Sequence, residues 1–237
     1  MPEILQLPLN VTLNDESRFD NFYPHNNEQI ILALQAFLKT SNETVFYLWG
    51  DRGVGKSHLL QAAAALAKDQ GVNALYIDGA SHDIHSSDLI MAVESCDWLC
   101  IDNIDAMIST PEWQEAMFHV FNSLKDRQAK ILVSAEVSPR QLTIDLEDLR
   151  SRLAWGEVYQ VHSLSDHDKV RVLQFRANLR GLKLSDEVAS YLLNRMPRNM
   201  SDLFQVLVTL DEASMAAQRA ITIPFVKSVF EMVANQN

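Results

Sequence analysis

The sequence is short of glycine, cysteine and positive charge, and it contains no long hydrophobic run. Its two cysteines, Cys96 and Cys100, lie in or beside an apolar segment. We interpret them as small core residues, which excludes a disulfide framework or a zinc site. No segment approaches the roughly 20 apolar residues that a membrane-spanning helix needs. Because Met1-Pro2-Glu3 lacks the basic start of a secretion signal, we expect a cytoplasmic protein that does not bind a membrane.

The excess of acidic residues gives a net charge of -11, which opposes attraction to the phosphate backbones of nucleic acids. We therefore expect no direct sequence-specific DNA binding. At 237 residues, of which 47% are hydrophobic, the chain is long enough for one full core and a smaller companion.

Strand-like and helical segments alternate in the first two thirds of the chain, and only helical segments follow. The apolar runs predict a parallel, doubly wound sheet with strands at 45–49, 74–78, 98–102, 130–134 and 157–161. Helices are predicted at 29–38, 56–68, 87–94, 111–127, 166–179, 186–195, 201–218 and 224–233, with Ser185, Ser201 and Thr222 as caps. The predicted organisation is a tail at 1–18, an α/β domain at 19–162 and a small all-α domain at 163–237.

One segment satisfies the P-loop pattern G-x-x-x-x-G-K-[ST] between a predicted strand and a predicted helix. It comprises Gly50, Asp51, Arg52, Gly53, Val54, Gly55, Lys56 and Ser57. The glycines let backbone N–H groups wrap phosphates, Lys56 adds a cation, and Ser57 can bind Mg²⁺. Three of only seven glycines fall in this loop, which disfavours a merely structural turn. We predict binding of ADP or another nucleoside di- or triphosphate together with Mg²⁺.

An acidic residue ends one of the predicted strands, and the carboxyl ends of strands are where ligands bind in open α/β sheets. Asp102 ends the apolar run 98–102 and would hold the Mg²⁺ shell, the alternative being a turn cap. Asn103 follows it, where many ATPases of this layout carry a carboxylate. Since an amide orients water but cannot take its proton at neutral pH, we predict slow self-hydrolysis.

Several motifs together resemble the AAA+ domain of the bacterial initiator DnaA. They are Phe19-Asp20-Asn21-Phe22, Gly55-Lys56-Ser57-His58-Leu59-Leu60-Gln61-Ala62, Ile101-Asp102-Asn103-Ile104 and Ser151-Arg152-Leu153-Ala154-Trp155-Gly156. The likeness runs from about Phe19 to the C-terminus, and it implies an AAA+ P-loop core followed by a helical lid. DnaA continues into a helix-turn-helix module that reads DNA, whereas this sequence stops just after Val233.

A short, acidic chain of this kind with the segment 221–227 is most similar to the Hda family, which carries out regulatory inactivation of DnaA. The resemblance implies a DNA replication inhibitor. Its implied partners are DnaA in its ATP form and the β sliding clamp of DNA polymerase III, and the apolar interfaces of the family suggest a homodimer.

The resemblance also implies that Arg152 is an arginine finger, which acts on the ATP of a neighbouring subunit. Arg150 is the competing candidate for this role. From spacing alone, the alternative for Arg152 is a surface ion pair with Glu147 or Asp148.

The N-terminal segment resembles the short peptide with which the family docks on the sliding clamp. Its candidate residues are Gln6, Leu7, Pro8 and Leu9. The family pattern would place a glutamine at Ile4, so the match is shifted and shortened. A tail that packs on its own domain is the alternative.

The nucleotide pocket departs from DnaA in the lid. Ser201 stands where DnaA presents a nucleotide-sensing arginine, and Arg198 lies about one helical turn earlier. Because a serine cannot neutralise a γ-phosphate, we expect an ADP-type resting state. His58 adjoins the P-loop, and Phe22 and Tyr23 are assigned either to a base pocket or to the core.

Two other functions fit the same motifs. One is a self-contained AAA+ ATPase such as a helicase loader, and the other is a nucleotide-gated adaptor without a catalytic part. An adaptor would keep its activity after loss of Arg152, whereas a loader would hydrolyse ATP by itself.

Overall fold

The computed structural model describes residues 17–40, 42–81, 85–196 and 200–234. The chain divides into two compact units, Met1–His162 and Ser163–Asn237. Within the described ranges, no helix is long and apolar enough to cross a membrane.

The first unit is built on a sheet of parallel strands with the spatial order β2-β3-β4-β1-β5. The strands are β1 (Val45–Trp49), β2 (Ala74–Asp78), β3 (Trp98–Asp102), β4 (Lys130–Ala135) and β5 (Glu157–Gln160). Every residue of β3 is buried, whereas β5 alternates between partly buried and exposed residues at the sheet edge. Burial on both faces explains the continuous apolar runs of the inner strands.

Helices cover both faces of this sheet. They are α1 (Glu28–Lys39), α2 (Lys56–Gln70), α3 (Ser86–Ala92), α4 (Ile104–Met107), α5 (Pro111–Asp126) and α6 (Glu147–Ala154). Residues of α1 and α2 pack with Phe46 and Leu48 of β1, while residues of α3 to α6 pack with Tyr47 on the other face. The first unit is therefore a doubly wound α/β core, as the sequence predicts.

The N-terminal tail is predicted to extend to residue 18, and its last two residues, Ser17 and Arg18, contact α2 of the first unit. Ser17 is buried, and its hydroxyl donates to Gln61 Oε1 of α2 at 2.9 Å. Arg18 forms an ion pair with Asp69 of the same helix. Both polar side chains find partners on α2, so the folded core begins before Phe19.

Both cysteines are buried and unbonded, as expected of small core residues. Cys96 packs among α3 to α5, whereas Cys100 packs on the face of α1 and α2. Burial raises the pKa of Cys96 to about 11, which keeps this thiol in its unreactive protonated form.

The described part of the second unit consists of α7 (Asp166–Leu179), α8 (Asp186–Arg195), α9 (Met200–Ala217) and α10 (Ile223–Ala234). Ser185 caps α8 by accepting from the backbone N–H of Val188, and Thr222 accepts from that of Phe225 at the start of α10. Ser201 is not a cap. The helix already includes Met200, so residue 201 lies inside its first turn.

Candidate functional site

The P-loop lies between the end of β1 and the start of α2, and its backbone needs glycine. Gly50 has a φ of 150° and Gly55 a φ of 107°. A Cβ on Gly50 would lie 2.5 Å from the Val161 carbonyl oxygen, and one on Gly55 would lie 2.7 Å from Cε2 of Phe22. Any larger residue at either position would therefore be strained and would clash.

Lys56 is the first residue of α2 and is buried. Its ammonium donates to the carbonyl oxygens of Gly50 at 2.7 Å and Asp51 at 2.9 Å. Burial lowers the pKa of Lys56, and the negative charge of Asp102 opposes that change. The cation is thus fixed inside the loop at the positive end of a 15-residue helix, an arrangement suited to a phosphate group.

Asp102 ends β3 and is only 3% exposed. One carboxylate oxygen accepts from the Ser134 hydroxyl, and the other accepts from the Tyr76 hydroxyl at 3.1 Å. Tyr76 in turn accepts from Gln61 at 3.3 Å, and Gln61 accepts from Ser17. These partners hold the carboxylate in one orientation at the carboxyl ends of the strands, the edge of the sheet that carries the P-loop.

Asn103 has a left-handed backbone with a φ of 54°, and its N–H donates to the Ser134 hydroxyl at 3.1 Å. Its side-chain amide donates to Oδ1 of Asp78 at 2.9 Å. Asp105 accepts from the Glu136 N–H at 3.0 Å, so its carboxylate is also engaged. The position after Asp102 therefore carries a hydrogen-bonded amide rather than a base.

We expect that Asn103→Asp destabilises the protein by about 1 kcal/mol at neutral pH. The change replaces an amide–carboxylate hydrogen bond by two carboxylates at the same distance. For a chain of this size, such a loss lowers Tm by about 2–4 °C. Urea denaturation and a thermal melt measure it.

The matched variant is the double change Asn103→Asp with Asp78→Asn, which restores an amide–carboxylate pair with the roles reversed. Its stability should return towards that of the parent. Equal stability of the parent and the single variant would contradict the predicted repulsion.

Aromatic residues approach the P-loop from the segment before α1. The Phe22 ring lies against Gly55, and its centroid is 5.4 Å from that of His58. His58 also bonds the Arg18 carbonyl oxygen at 2.9 Å. Tyr23 instead stacks on His25 at 6.2 Å. Phe22 and His58 thus meet at the loop, while Phe22 also packs against the core beneath α2.

The remaining loop residues form the exposed rim of the site. Asp51, Arg52, Gly53 and Ser57 are exposed, whereas Val54 is buried. Arg52 pairs with Glu136 at 3.5 Å. The predicted residues Gln6, Leu7, Pro8, Leu9 and Arg198 lie outside the described residues.

Arg152 lies near the end of α6, a helix that the sequence did not predict. Its guanidinium carbon is 4.6 Å from the centroid of the Phe118 ring and 5.7 Å from that of Trp155. Within the described part of the chain it makes no ion pair, so the alternative of a pair with Glu147 or Asp148 is wrong.

Arg150 makes that ion pair instead. It bonds Glu147 at 3.0 Å and also donates to the Ile144 carbonyl oxygen. The two arginines therefore differ in their contacts: Arg150 is bonded within α6 and to the segment just before it, whereas Arg152 packs on aromatic rings.

The location of Arg152 decides which nucleotide it can reach. It lines a cavity of about 320 Å³ together with residues 42–45, which lead into β1, and Gly156. The P-loop follows the opposite end of β1, and a strand of five residues spans roughly 16 Å. Arg152 is thus too far from the P-loop of its own chain to touch a phosphate bound there.

Comparisons with known proteins agree with this architecture. The family model of the bacterial DnaA ATPase domain matches residues 13–160, and that of the Hda lid domain matches residues 166–230. A Haemophilus influenzae protein described as uncharacterized is 39% identical over 228 residues, which cover 96% of this chain and 99% of that protein.

Solved structures with the same fold include DnaA and RuvB proteins. Domain III of the Thermotoga maritima replication initiation protein DnaA has a TM-score of 0.74 at 19% identity, covering 92% of this chain and 97% of that one. AMPPCP-bound DnaA from Aquifex aeolicus has a TM-score of 0.70 at 22% identity, covering 83% and 66%. The Thermotoga maritima RuvB branch migration motor has a TM-score of 0.68 at 18% identity, covering 93% and 73%.

The parallel sheet, the P-loop and the helical second unit define an α/β protein of the AAA+ class. Because the family models match both units, the chain belongs to the DnaA-homologous AAA+ family, with a lid of the Hda type.

Proposed function

We propose that this protein is a nucleotide-binding regulator of DNA replication initiation. Together with the DNA-loaded sliding clamp, it stimulates hydrolysis of ATP bound to DnaA by supplying Arg152 in trans, which leaves DnaA in its inactive ADP form. The observation that carries this proposal is the position of Arg152 at the end of β1 opposite the P-loop. A guanidinium there serves a neighbouring subunit and not its own chain.

The packing of Arg152 supports this role. Contacts with two rings orient a guanidinium without neutralising its charge, because the attraction comes from the ring quadrupole. A carboxylate partner would have to be displaced before the cation could meet a phosphate. Arg152 therefore keeps its full charge for the γ-phosphate, where charge develops during hydrolysis.

The protein's own nucleotide has a supporting role in the proposal. The P-loop N–H groups and Lys56 would bind its phosphates, and Ser57 and Asp102 would hold Mg²⁺ through oxygen atoms, the ligands that this ion prefers. An amide at Asn103 that is already bonded to Asp78 would make hydrolysis of the protein's own nucleotide slow, so that nucleotide persists over repeated turnover of DnaA-bound ATP. The same feature speaks against a self-contained ATPase such as a helicase loader.

The central experiment measures hydrolysis of ATP-loaded DnaA in the presence of clamp on primed DNA, with and without this protein. A control contains this protein and ATP without DnaA. We expect stimulation in the complete mixture and little turnover in the control. Strong turnover in the control would support the self-contained ATPase. Clamp binding without stimulation would support the non-catalytic adaptor.

The N-terminal peptide Gln6-Leu7-Pro8-Leu9 is proposed to dock on the clamp. Replacing both Leu7 and Leu9 by alanine should lower clamp binding at least tenfold in a pull-down or surface plasmon resonance titration, since apolar anchors dominate groove binding. Leu32→Ala is the matched control, because this leucine is 66% exposed on α1. Unchanged binding of the double variant would reject the assignment.

A further inference from the structure

The most exposed tryptophan of the described residues lies beside Arg152. Trp155 follows the end of α6 and is 60% exposed. Trp98 is buried, and Trp49 and Trp113 are partly buried against the core. Tryptophan is enriched at protein interfaces, so an exposed indole beside Arg152 marks a candidate contact surface.

Two cations pack on this indole. The Lys125 ammonium lies 4.5 Å from the centroid of the Trp155 ring, and the Arg152 guanidinium lies 5.7 Å from it. Arg152 also contacts Phe118. Since Phe118 and Lys125 are seven residues apart on α5, they lie on one face of that helix. Rings and cations thus alternate along a short surface ladder: Phe118, Arg152, Trp155, Lys125.

The ladder borders the cavity of about 320 Å³ at the start of β1, where Glu43 is the carboxylate in the lining. Lys125 and Arg152 place two positive charges on this wall of a chain whose net charge is -11. By contrast, acidic residues outnumber the two cations Arg52 and Lys56 at the P-loop edge of the same sheet; they are Asp51, Asp78, Asp102, Asp105 and Glu136. A homologous subunit that presents the P-loop edge of its own sheet, with phosphates bound, offers the complementary negative charge.

We infer that Trp155 and Lys125 form an anchoring surface for the nucleotide-bearing edge of a neighbouring AAA+ subunit, namely DnaA. The indole is buried against that subunit, and Lys125 provides a second cation beside its nucleotide. This inference rests on the proposed function and assigns separate roles to the residues around Arg152. Arg152 touches the reacting phosphate, whereas Trp155 and Lys125 determine how tightly the two proteins associate.

Kinetics separate these two roles. Stimulated hydrolysis is measured against the concentration of this protein, with ADP and DNA-loaded clamp held constant. Trp155→Ser should raise the half-saturating concentration at least tenfold, as loss of a tryptophan anchor does in other interfaces. Lys125→Met should raise it about threefold. Lys125→Met should keep a maximal rate within about twofold of the parent. Because the Trp155 ring also orients Arg152, Trp155→Ser should lower the maximal rate as well as the affinity, and Trp155→Phe should restore most of both.

Binding is tested independently of activity by ¹⁹F NMR. The chain is labelled with 5-fluorotryptophan, the Trp155 resonance is assigned with Trp155→Phe, and unlabelled DnaA is added in the presence of ADP. We expect the Trp155 resonance to shift or broaden, while those of the buried Trp98 and the partly buried Trp113 stay in place. The unchanged resonances also report that the variants are folded.

The outcomes distinguish this inference from the function on which it rests. Stimulation by the parent with an unmoved Trp155 resonance would overturn the anchoring surface and leave the proposed function intact. A fall in maximal rate without a change in half-saturation would also overturn it. A Trp155 shift that depends on the concentration of the labelled chain alone would assign the surface to a second copy and overturn the choice of DnaA. No stimulation by the parent would count against the proposed function itself.

Discussion

Arg152→Ala is expected to lower the stimulated hydrolysis of DnaA-bound ATP by about 10³-fold or more. Arginine fingers in phosphoryl transfer contribute about 10³ to 10⁵ in rate, because a guanidinium stabilises charge on the transferred phosphoryl group. The side chain rests on Phe118 and Trp155, so its removal deletes no ion pair within the described residues. The loss should therefore appear in activity and not in folding.

Three further variants make the Arg152 experiment specific. Arg152→Lys keeps the charge without the planar fork and should recover only a small part of the rate. Arg140→Ala removes an exposed arginine from the short turn before α6 and should leave the rate unchanged. Arg150→Ala should lower Tm instead, since that residue bonds Glu147 in the first turn of α6 and the Ile144 carbonyl oxygen just before the helix. Full stimulation by Arg152→Ala would remove the finger from the mechanism and favour an adaptor.

Lys56→Met is expected to weaken ADP binding by the isolated protein about 100-fold. A hydrogen bond from an ionised donor contributes about 1.5–3 kcal/mol, and 100-fold corresponds to about 2.7 kcal/mol. Methionine has a similar length and fills the buried stem position of Lys56. Isothermal titration calorimetry with ADP and Mg²⁺ gives the affinity directly.

The matched control for Lys56 is Lys130→Met. Lys130 begins β4, and burial lowers its pKa as it does that of Lys56. It stands at the edge of the sheet opposite the P-loop, so ADP affinity should stay within about twofold of the parent. Equal ADP affinity of the parent and Lys56→Met would place the nucleotide elsewhere. A thermal melt without nucleotide separates lost binding from a disturbed loop, because Gly50 and Asp51 also lose a donor.

The sequence predicts the sheet well because its inner strands β1, β3 and β4 are buried on both faces. Apolar runs mark β1, β2 and β3 to the residue and β4 to within one residue, and the alternating segment 157–161 marks β5 to within one residue. The P-loop is equally easy to predict, since its glycines and lysine occur at a fixed spacing between a strand and a helix. By contrast, α6 was missed. Only Leu149 and Leu153 of its eight residues are buried, too few to produce a helical pattern among charged neighbours.

The surroundings of Asp102 and Asn103 could not be read from the sequence. Tyr76, Asp78 and Ser134 come from β2 and β4, which flank β3 in the sheet, and they lie 25 to 32 residues along the chain from the groups that they contact. Periodicity predicts which segments are strands without giving their lateral order, so contacts across neighbouring strands stay hidden. The choice between Arg150 and Arg152 likewise depends on which side chain reaches Glu147, which is a property of the folded helix.

The separation of Arg152 from the P-loop along β1 gives the molecule a polarity. In the proposed mechanism, Arg152 at one end of its sheet meets the nucleotide at the other end of a neighbour's sheet, so contacts of this kind join unlike surfaces and are heterologous. Two subunits joined in this way each still have one unpaired surface, so further subunits can add in a row. Within such a row both surfaces of every inner subunit are covered, and only the two terminal subunits have one surface uncovered. Where DnaA subunits stack in the same way, the regulator gains access only to the terminal subunit whose nucleotide edge is uncovered. The number of regulators that can act at once then follows the number of rows and not the number of bound subunits.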